Sequence, residues 1–204
     1  SEDSQENQIY AVLSLTPLIR LVSLSLPLRE IPLVYWYAAT GMPIFFAALL
    51  MIRYADLNAL NVGLTVHHWF AQLLFGLIGI DLGYMGYLIL KPEPLVTEIT
   101  HKELWLPSLI LILFTGFLEE LIFRGLMQHA FISKFGTKVG IFLVSILYAL
   151  IHMGYQSLVF LFFMFCVGVL FAILRLLTKS ILGVSIAHGL ANVMLYLIFP
   201  LITS

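Results

Sequence analysis

The sequence predicts an all-α, polytopic membrane bundle of about seven transmembrane helices around a polar intramembrane cavity, on three observations. Hydrophobic residues make up 61% of the 204-residue chain and charged residues only 10%, and the mean hydropathy is +1.04, far outside the range of soluble domains. Apolar runs recur at about the 20-residue length that crosses a hydrocarbon core roughly 30 Å thick. Backbone in lipid must close its own hydrogen bonds, and no alternating strand pattern competes, so the runs read as helices. The net charge is −1 with no basic block, so the bilayer, and not nucleic acid, is the expected partner.

In order along the chain, residues 1–8 form a polar, acidic tail with no basic region ahead of the first apolar run, so a cleavable signal peptide is not expected. The first span runs from Ile9 to about Leu28 and carries Pro17 and Arg20, and the second covers Ile31–Tyr54 with Gly41 and Pro43. The turn Pro27-Leu28-Arg29-Glu30 joins them. A polar patch from Arg53 to His68 lies at the interface ahead of the third span, Trp69–Leu90, in which Asp81 is the only charge. Lys91-Pro92-Glu93-Pro94 ends that span. The fourth opens at Leu104-Trp105 and continues past Arg124 to about Ile132, longer than a span, so its end emerges from the bilayer. Lys138 to Met153, Ser157 to Leu177 and Ile181–Ile202 complete the set, with Thr178-Lys179-Ser180 as a tight turn. Residues 9–103 thus form an upstream membrane half and 104–204 hold the chemistry. The Lys and Arg distribution between loops puts the N-terminus in the cytosol. Nothing in the sequence specifies an oligomeric state.

The charges inside the apolar runs need an explanation, because taking an ionised side chain out of water costs several kcal/mol even after relaxation. Glu119, Glu120 and Arg124 fall in the fourth span. Glu120 and Arg124 are one helical turn apart in the favourable order for an ion pair, which leaves Glu119 without a local partner and directed about 100° away. Tyr148 and His152 in the fifth span, and His188 and Asn192 in the seventh, are further i, i+4 pairs that turn polar edges toward a common cavity. A lone intramembrane histidine is more often structural, but three helices bearing Glu-Glu, His and His-Asn reverse that preference. Arg20 and Arg175 read as snorkelling, Asp81 as a bond between helices, His67, His68 and His101 as solvated, and His129 as the reserve candidate. Cys166 reads as a small buried hydrophobe.

No His-Glu-x-x-His segment is present, so the usual zinc-protease site is absent and no cofactor is expected. Zinc stays open, and if a metal is present Glu119, His152 and His188 are its ligands. Ser185 and Cys166 lack an activating base at useful spacing. The economical scheme is water activation: Glu119, tuned by a dry cavity and by His152, takes a proton from water attacking a carbonyl, and His188 with Asn192 stabilises the oxyanion. One difficulty accompanies it, since the span boundaries put His152 at the far end of the fifth helix, away from Glu119 and His188.

Glu119-Glu120-x-x-x-Arg124, Tyr148-x-x-x-His152 and His188-x-x-x-Asn192, in this order within apolar spans, resemble the three motifs of the CPBP intramembrane protease family. That family includes type II CAAX prenyl endopeptidases and bacteriocin-processing or immunity proteins. The resemblance covers about Leu104–Pro200. It implies an intramembrane endopeptidase of peptide or membrane-protein substrates, with Glu119 and His152 as the water-activating pair, His188 and Asn192 on the oxyanion side, and Glu120 and Arg124 in support. Once described as metalloproteases, these proteins are now viewed as glutamate-dependent. Tyr148 stands where the second motif usually has Phe, adding a hydroxyl that needs a partner. The competing readings are a non-catalytic membrane binding, immunity or scaffold protein, and a proton-coupled transporter, the latter disfavoured by the absence of an inverted repeat.

Overall fold

A computed structural model describes residues 2–26 and 31–203, with the side chains of residues 2–8, 20, 23 and 24 excepted; the junction Pro27–Glu30 and the side chain of Arg20 lie outside the described residues. Among the described residues the secondary structure is entirely helical. The helices are α1 (Glu2–Ser25), α2 (Leu33–Tyr54) and α3 (Trp69–Leu90), then α4 (His101–Phe135), α5 (Thr137–Tyr155), α6 (Leu158–Thr178) and α7 (Leu182–Ile202). Six of them are long and apolar enough to span a membrane, and among the described side chains α1 carries the apolar stretch Ile9–Ile19. Of the about seven spans expected, six are matched by these helices, and α1 is a seventh helix in the place of the first. The chain is an integral, multi-pass membrane protein.

Local chemistry sets the helix ends. Thr100 caps α4 by accepting the N–H of Glu103 at 3.3 Å, while the Glu103 carboxylate turns back to the Thr97 hydroxyl, a variant of the capping-box exchange. Ser157 caps α6 by accepting from Phe160 N–H at 3.2 Å. Lys91 and Lys179 close α3 and α6 in the left-handed region, and Gly136, at φ +79°, turns α4 into α5. Because α4 starts at His101, three residues earlier than expected, and α4 and α5 form a hairpin about Gly136, Glu119 and His152 lie at nearly equal distances along the chain from the turn. That antiparallel arrangement removes the difficulty over depth.

The helices divide into central and peripheral ones. Within their apolar windows, α4 and α7 are 56% buried, but α2 and α3 only 22%, so the two helices that carry the acids and the His-Asn pair occupy the middle. The peripheral faces are apolar because lipid surrounds them. Cys166, expected in the core, is exposed on α6, since a run apolar on all sides does not reveal which side faces protein. Asp81, expected to join two helices, is also exposed. Arg175 does not snorkel: its Nη2 donates to the Asn61 carbonyl at 2.8 Å, and with the Ile181 N–H on the Gly63 carbonyl at 2.8 Å it ties the interfacial loop to the α6–α7 turn. His67, His68 and His101 are exposed as expected.

The outer helix α3 reaches α7 through small residues, as helices in lipid commonly do. A Cβ at Gly79 would fall 2.1 Å from the Ala187 carbonyl oxygen, next in sequence to His188. Gly79→Ala therefore forces the two helices apart. The expected cost is roughly 1–3 kcal/mol, the usual range for overpacking, read as a lower melting temperature in detergent; an unchanged melt would mean that α3 is free to move away from α7.

Candidate active site

The middle of α4 is not a uniform α-helix. Leu111–Phe117 and Leu121–Met127 are wound as π-helix, and between them only Leu118–Glu120 keep α geometry. Such widened turns are frequent at functional sites. The close crossing of α4 and α7 brings their polar groups together. A Cβ at Gly116 would lie 2.7 Å from the Gly189 nitrogen, so only hydrogen at this position permits the backbones to touch.

Just beyond the crossing, Glu120 and Arg124 form the expected ion pair. Arg124 Nη1 donates to Glu120 Oε1 at 2.9 Å, and both side chains are 0% exposed. Arg124 Nη2 also donates to the Gly168 carbonyl on α6 at 3.3 Å. Its guanidinium lies 4.1 Å from the centroid of the Tyr148 ring, a desolvated cation–π contact worth about 2 kcal/mol. The same Oε1 of Glu120 takes a second bond, from His188 Nδ1–H at 2.9 Å. Sequence spacing gave no hint of this bond, since the two residues are 68 positions apart. It fixes the ring so that Nε2 faces Tyr148 and Glu119. The Tyr148 hydroxyl, fully buried, finds its partner there at 3.5 Å.

Glu119 differs from its neighbour. Its side chain is 24% exposed, and its Oε2 lies 3.9 Å from His188 Nε2, beyond hydrogen-bond range. That oxygen has no hydrogen-bond partner among the described residues. Glu119 lines a cavity of about 360 Å³ together with Tyr37, Thr40, Phe114, His152 and Tyr155. His152 sits on the short 3₁₀ turn Ile151–Tyr155 that ends α5. Its Nδ1–H donates to the Tyr148 carbonyl at 2.9 Å, so the neutral ring leaves Nε2 as an acceptor. A second, smaller cavity of about 40 Å³ is lined by Tyr148, His152, His188, Asn192 and Tyr196, room for roughly three waters. Thus Glu119 faces the larger cavity, His188 and Asn192 the smaller, and His152 both.

Asn192 donates through Nδ2 to the Thr115 hydroxyl at 2.8 Å, which in turn donates to the Leu111 carbonyl; the other amide hydrogen of Asn192 stays free. Thr115, Tyr37, Tyr155 and Tyr196 were not singled out from the sequence. Thr115 is one turn ahead of Glu119, and Tyr196 continues the four-residue spacing of His188 and Asn192, so two of the four carried a readable signal. Tyr37, from the upstream half, carried none. His129, the reserve candidate, stands beside Arg175 instead of joining the site. Among the described residues no group of three or more His, Cys, Asp or Glu is disposed to hold a metal ion; the Nδ1 atoms of His152 and His188 are engaged by Tyr148 and Glu120, which leaves Nε2 of each ring available.

Fold and site together define a class, a polytopic membrane protein with a carboxylate–histidine centre enclosed by its helices. Residues 101–194, a segment that contains all seven motif residues, match the family described as type II CAAX prenyl endopeptidase Rce1-like. An uncharacterized 24.3 kDa protein of Escherichia coli is 31% identical over 108 residues, covering 50% of this chain and 49% of that protein. The match thus spans about half the length of this curated relative. No solved structure matches the chain significantly.

The ion pair yields a prediction about stability. Arg124→Leu strands Glu120 in the interior and should cost roughly 3–5 kcal/mol, whereas Glu120→Leu/Arg124→Leu together should recover much of that loss. Thermal melts in detergent check this; a double variant as unstable as the single would show that the loss of Glu120, which also breaks its bond to His188, is costly in its own right.

Proposed function

We propose that the protein is an intramembrane endopeptidase that hydrolyses a peptide bond with water activated by Glu119 and His152. The observation that carries the reading is the buried, unpartnered Oε2 of Glu119, 3.9 Å from His188 Nε2, beside a cavity that it shares with His152. The match of residues 101–194 to the type II CAAX prenyl endopeptidase Rce1-like family supports the same class of reaction.

In this scheme Glu119 takes one proton from water, and His152 Nε2 accepts a hydrogen bond from the other. The water oxygen bonds to the scissile carbonyl carbon, and the carbonyl oxygen becomes an oxyanion. The free amide hydrogen of Asn192 and a protonated Nε2 of His188 donate to it; Glu120, on the other face of the ring, compensates the charge of that imidazolium. Glu119 then passes its proton to the leaving amine as the C–N bond breaks, giving a carboxylic acid and an amine. The roles divide by environment: Glu119 Oε2 has no hydrogen-bond partner among the described residues and the side chain lines the cavity, so it can exchange a proton, whereas Glu120 is held by Arg124 and His188 and orients the latter. The larger cavity would receive the peptide segment. No metal takes part in the scheme.

Purified protein, incubated with a peptide library or membrane proteome, should cleave, and Glu119→Gln should lower turnover by at least about 100-fold with little change in melting temperature, because the amide keeps the shape and loses the base. Equal cleavage by both forms would remove the enzymatic role from this site and favour a binding function. Activity should also survive dialysis against a strong chelator. Loss on chelation that zinc restores would overturn the metal-free scheme.

A further inference from the structure

His152 is the residue that both cavities share, yet the turn that carries it is thinly packed. None of the residues of Ile151–Tyr155 is buried, Gln156 follows in the left-handed region at φ +53°, and Met153 and Gly154 are exposed. Segments of this kind open locally at low cost unless something holds them. The bond from His152 Nδ1 to the Tyr148 carbonyl belongs to the same stretch of chain and cannot by itself fix the turn against the other helices.

The long-range hold comes from Tyr155. Its hydroxyl is hydrogen-bonded to that of Tyr196 on α7. Its ring lies nearly parallel to the His152 imidazole, with 17° between the planes and 6.3 Å between centroids, and meets the buried Phe160 edge-on at 5.0 Å. Phe160 in turn stands edge-on to His152 at 6.1 Å. Tyr196 is itself well anchored: it is buried and its backbone carbonyl accepts the N–H of Leu95 at 3.0 Å. The hydroxyl of Tyr37 on α2 adjoins that of Tyr155, so α2, the α5 turn and α7 meet at one cluster of oxygens. Tyr155 lines the larger cavity and Tyr196 the smaller, so their hydroxyl pair stands in the partition with His152.

We propose that Tyr155 and Tyr196 are positioning residues: their hydroxyl pair latches the Ile151–Tyr155 turn to α7 and thereby holds the His152 ring in the wall between the two cavities. Neither residue takes part in proton transfer. The effect on turnover rests on the hydrolytic reading above, but the effect on the turn does not.

The experiment compares Tyr155→Phe, Tyr196→Phe and the double variant, in detergent, by hydrogen–deuterium exchange of the peptide covering residues 151–157 and by steady-state cleavage. Each single variant keeps its ring and loses one oxygen, so the fold should persist. Exchange in that peptide should quicken roughly fivefold to tenfold, the size set by one hydrogen bond, while the peptides of α4 and α6 exchange as before. kcat should fall by a similar factor, with KM for Tyr196→Phe unchanged, and the double variant should be no worse than Tyr155→Phe, which already loses both the Tyr196 bond and the Tyr37 contact. Unchanged exchange at residues 151–157 in both singles would overturn the latch, as would losses that add in the double variant. The two readings fail separately: faster exchange alongside a fully active Glu119→Gln variant supports the latch and sinks the catalytic scheme, whereas normal exchange alongside an inactive Glu119→Gln variant does the reverse.

Discussion

One oxygen atom, Oε1 of Glu120, accepts from both Arg124 and His188, and the rest of the site depends on it. The bond to Arg124 satisfies a charge within α4; the bond to His188 joins α4 to α7 and sets the direction of a ring that Glu119 and Tyr148 also face. A carboxylate at this depth cannot turn to water if either partner is lost, so the two helices are held in register by the cost of leaving a charge unpaired. The glycines at the crossing make the bond geometrically available, because any side chain at Gly116 would hold α7 away. Arg124 extends the network to α6 through the Gly168 carbonyl and underlies the Tyr148 ring. The adjacent acid, Glu119, is thereby left free of local partners.

Adjacent carboxylates are thus given opposite tasks by about 100° of helical rotation. Glu120 turns inward to a cation and an imidazole, and Glu119 turns toward the cavity where a substrate can lie. The winding of α4 contributes, since the two π-helical stretches on either side of Leu118–Glu120 change the phase of the helix above and below the acids. His152 reaches the same depth by another route, the α4–α5 hairpin, and arrives on a turn with little packing of its own. The upstream helices then matter to the chemistry: Tyr37 and Thr40 on α2 form a wall of the larger cavity, and α3 supports α7 at the residue before His188.

In lipid, the usual inference from hydrophobicity to burial fails. α6 has the most apolar window of the candidate spans, yet only 39% of it is buried, against 56% for the more polar α4 and α7. The helices that carry charge are central because charge must be kept from hydrocarbon, and purely apolar faces are free to meet acyl chains. Cys166 illustrates the point: its run is apolar, and it faces outward.

What the sequence determined by itself was everything governed by short spacing and by the bilayer. The third span, Trp69–Leu90, has the same limits in sequence and structure, because a run of apolar residues ended by Lys91-Pro92 leaves no other choice. The Glu120–Arg124 pair was legible because its partners are one turn apart, and the seven motif residues were legible because polar groups in apolar runs are rare. Only the tertiary structure decided the partners across helices: His188 on Glu120, Asn192 on Thr115 and Tyr155 on Tyr196. It also decided that Arg175 binds the Asn61 carbonyl. The physical reason is common to all of these. Helical periodicity gives the face a residue occupies on its own helix, but which faces meet, and how closely, is set by crossings at small residues far apart in the chain, and a hydrogen bond exists only within a few tenths of an ångström of that distance.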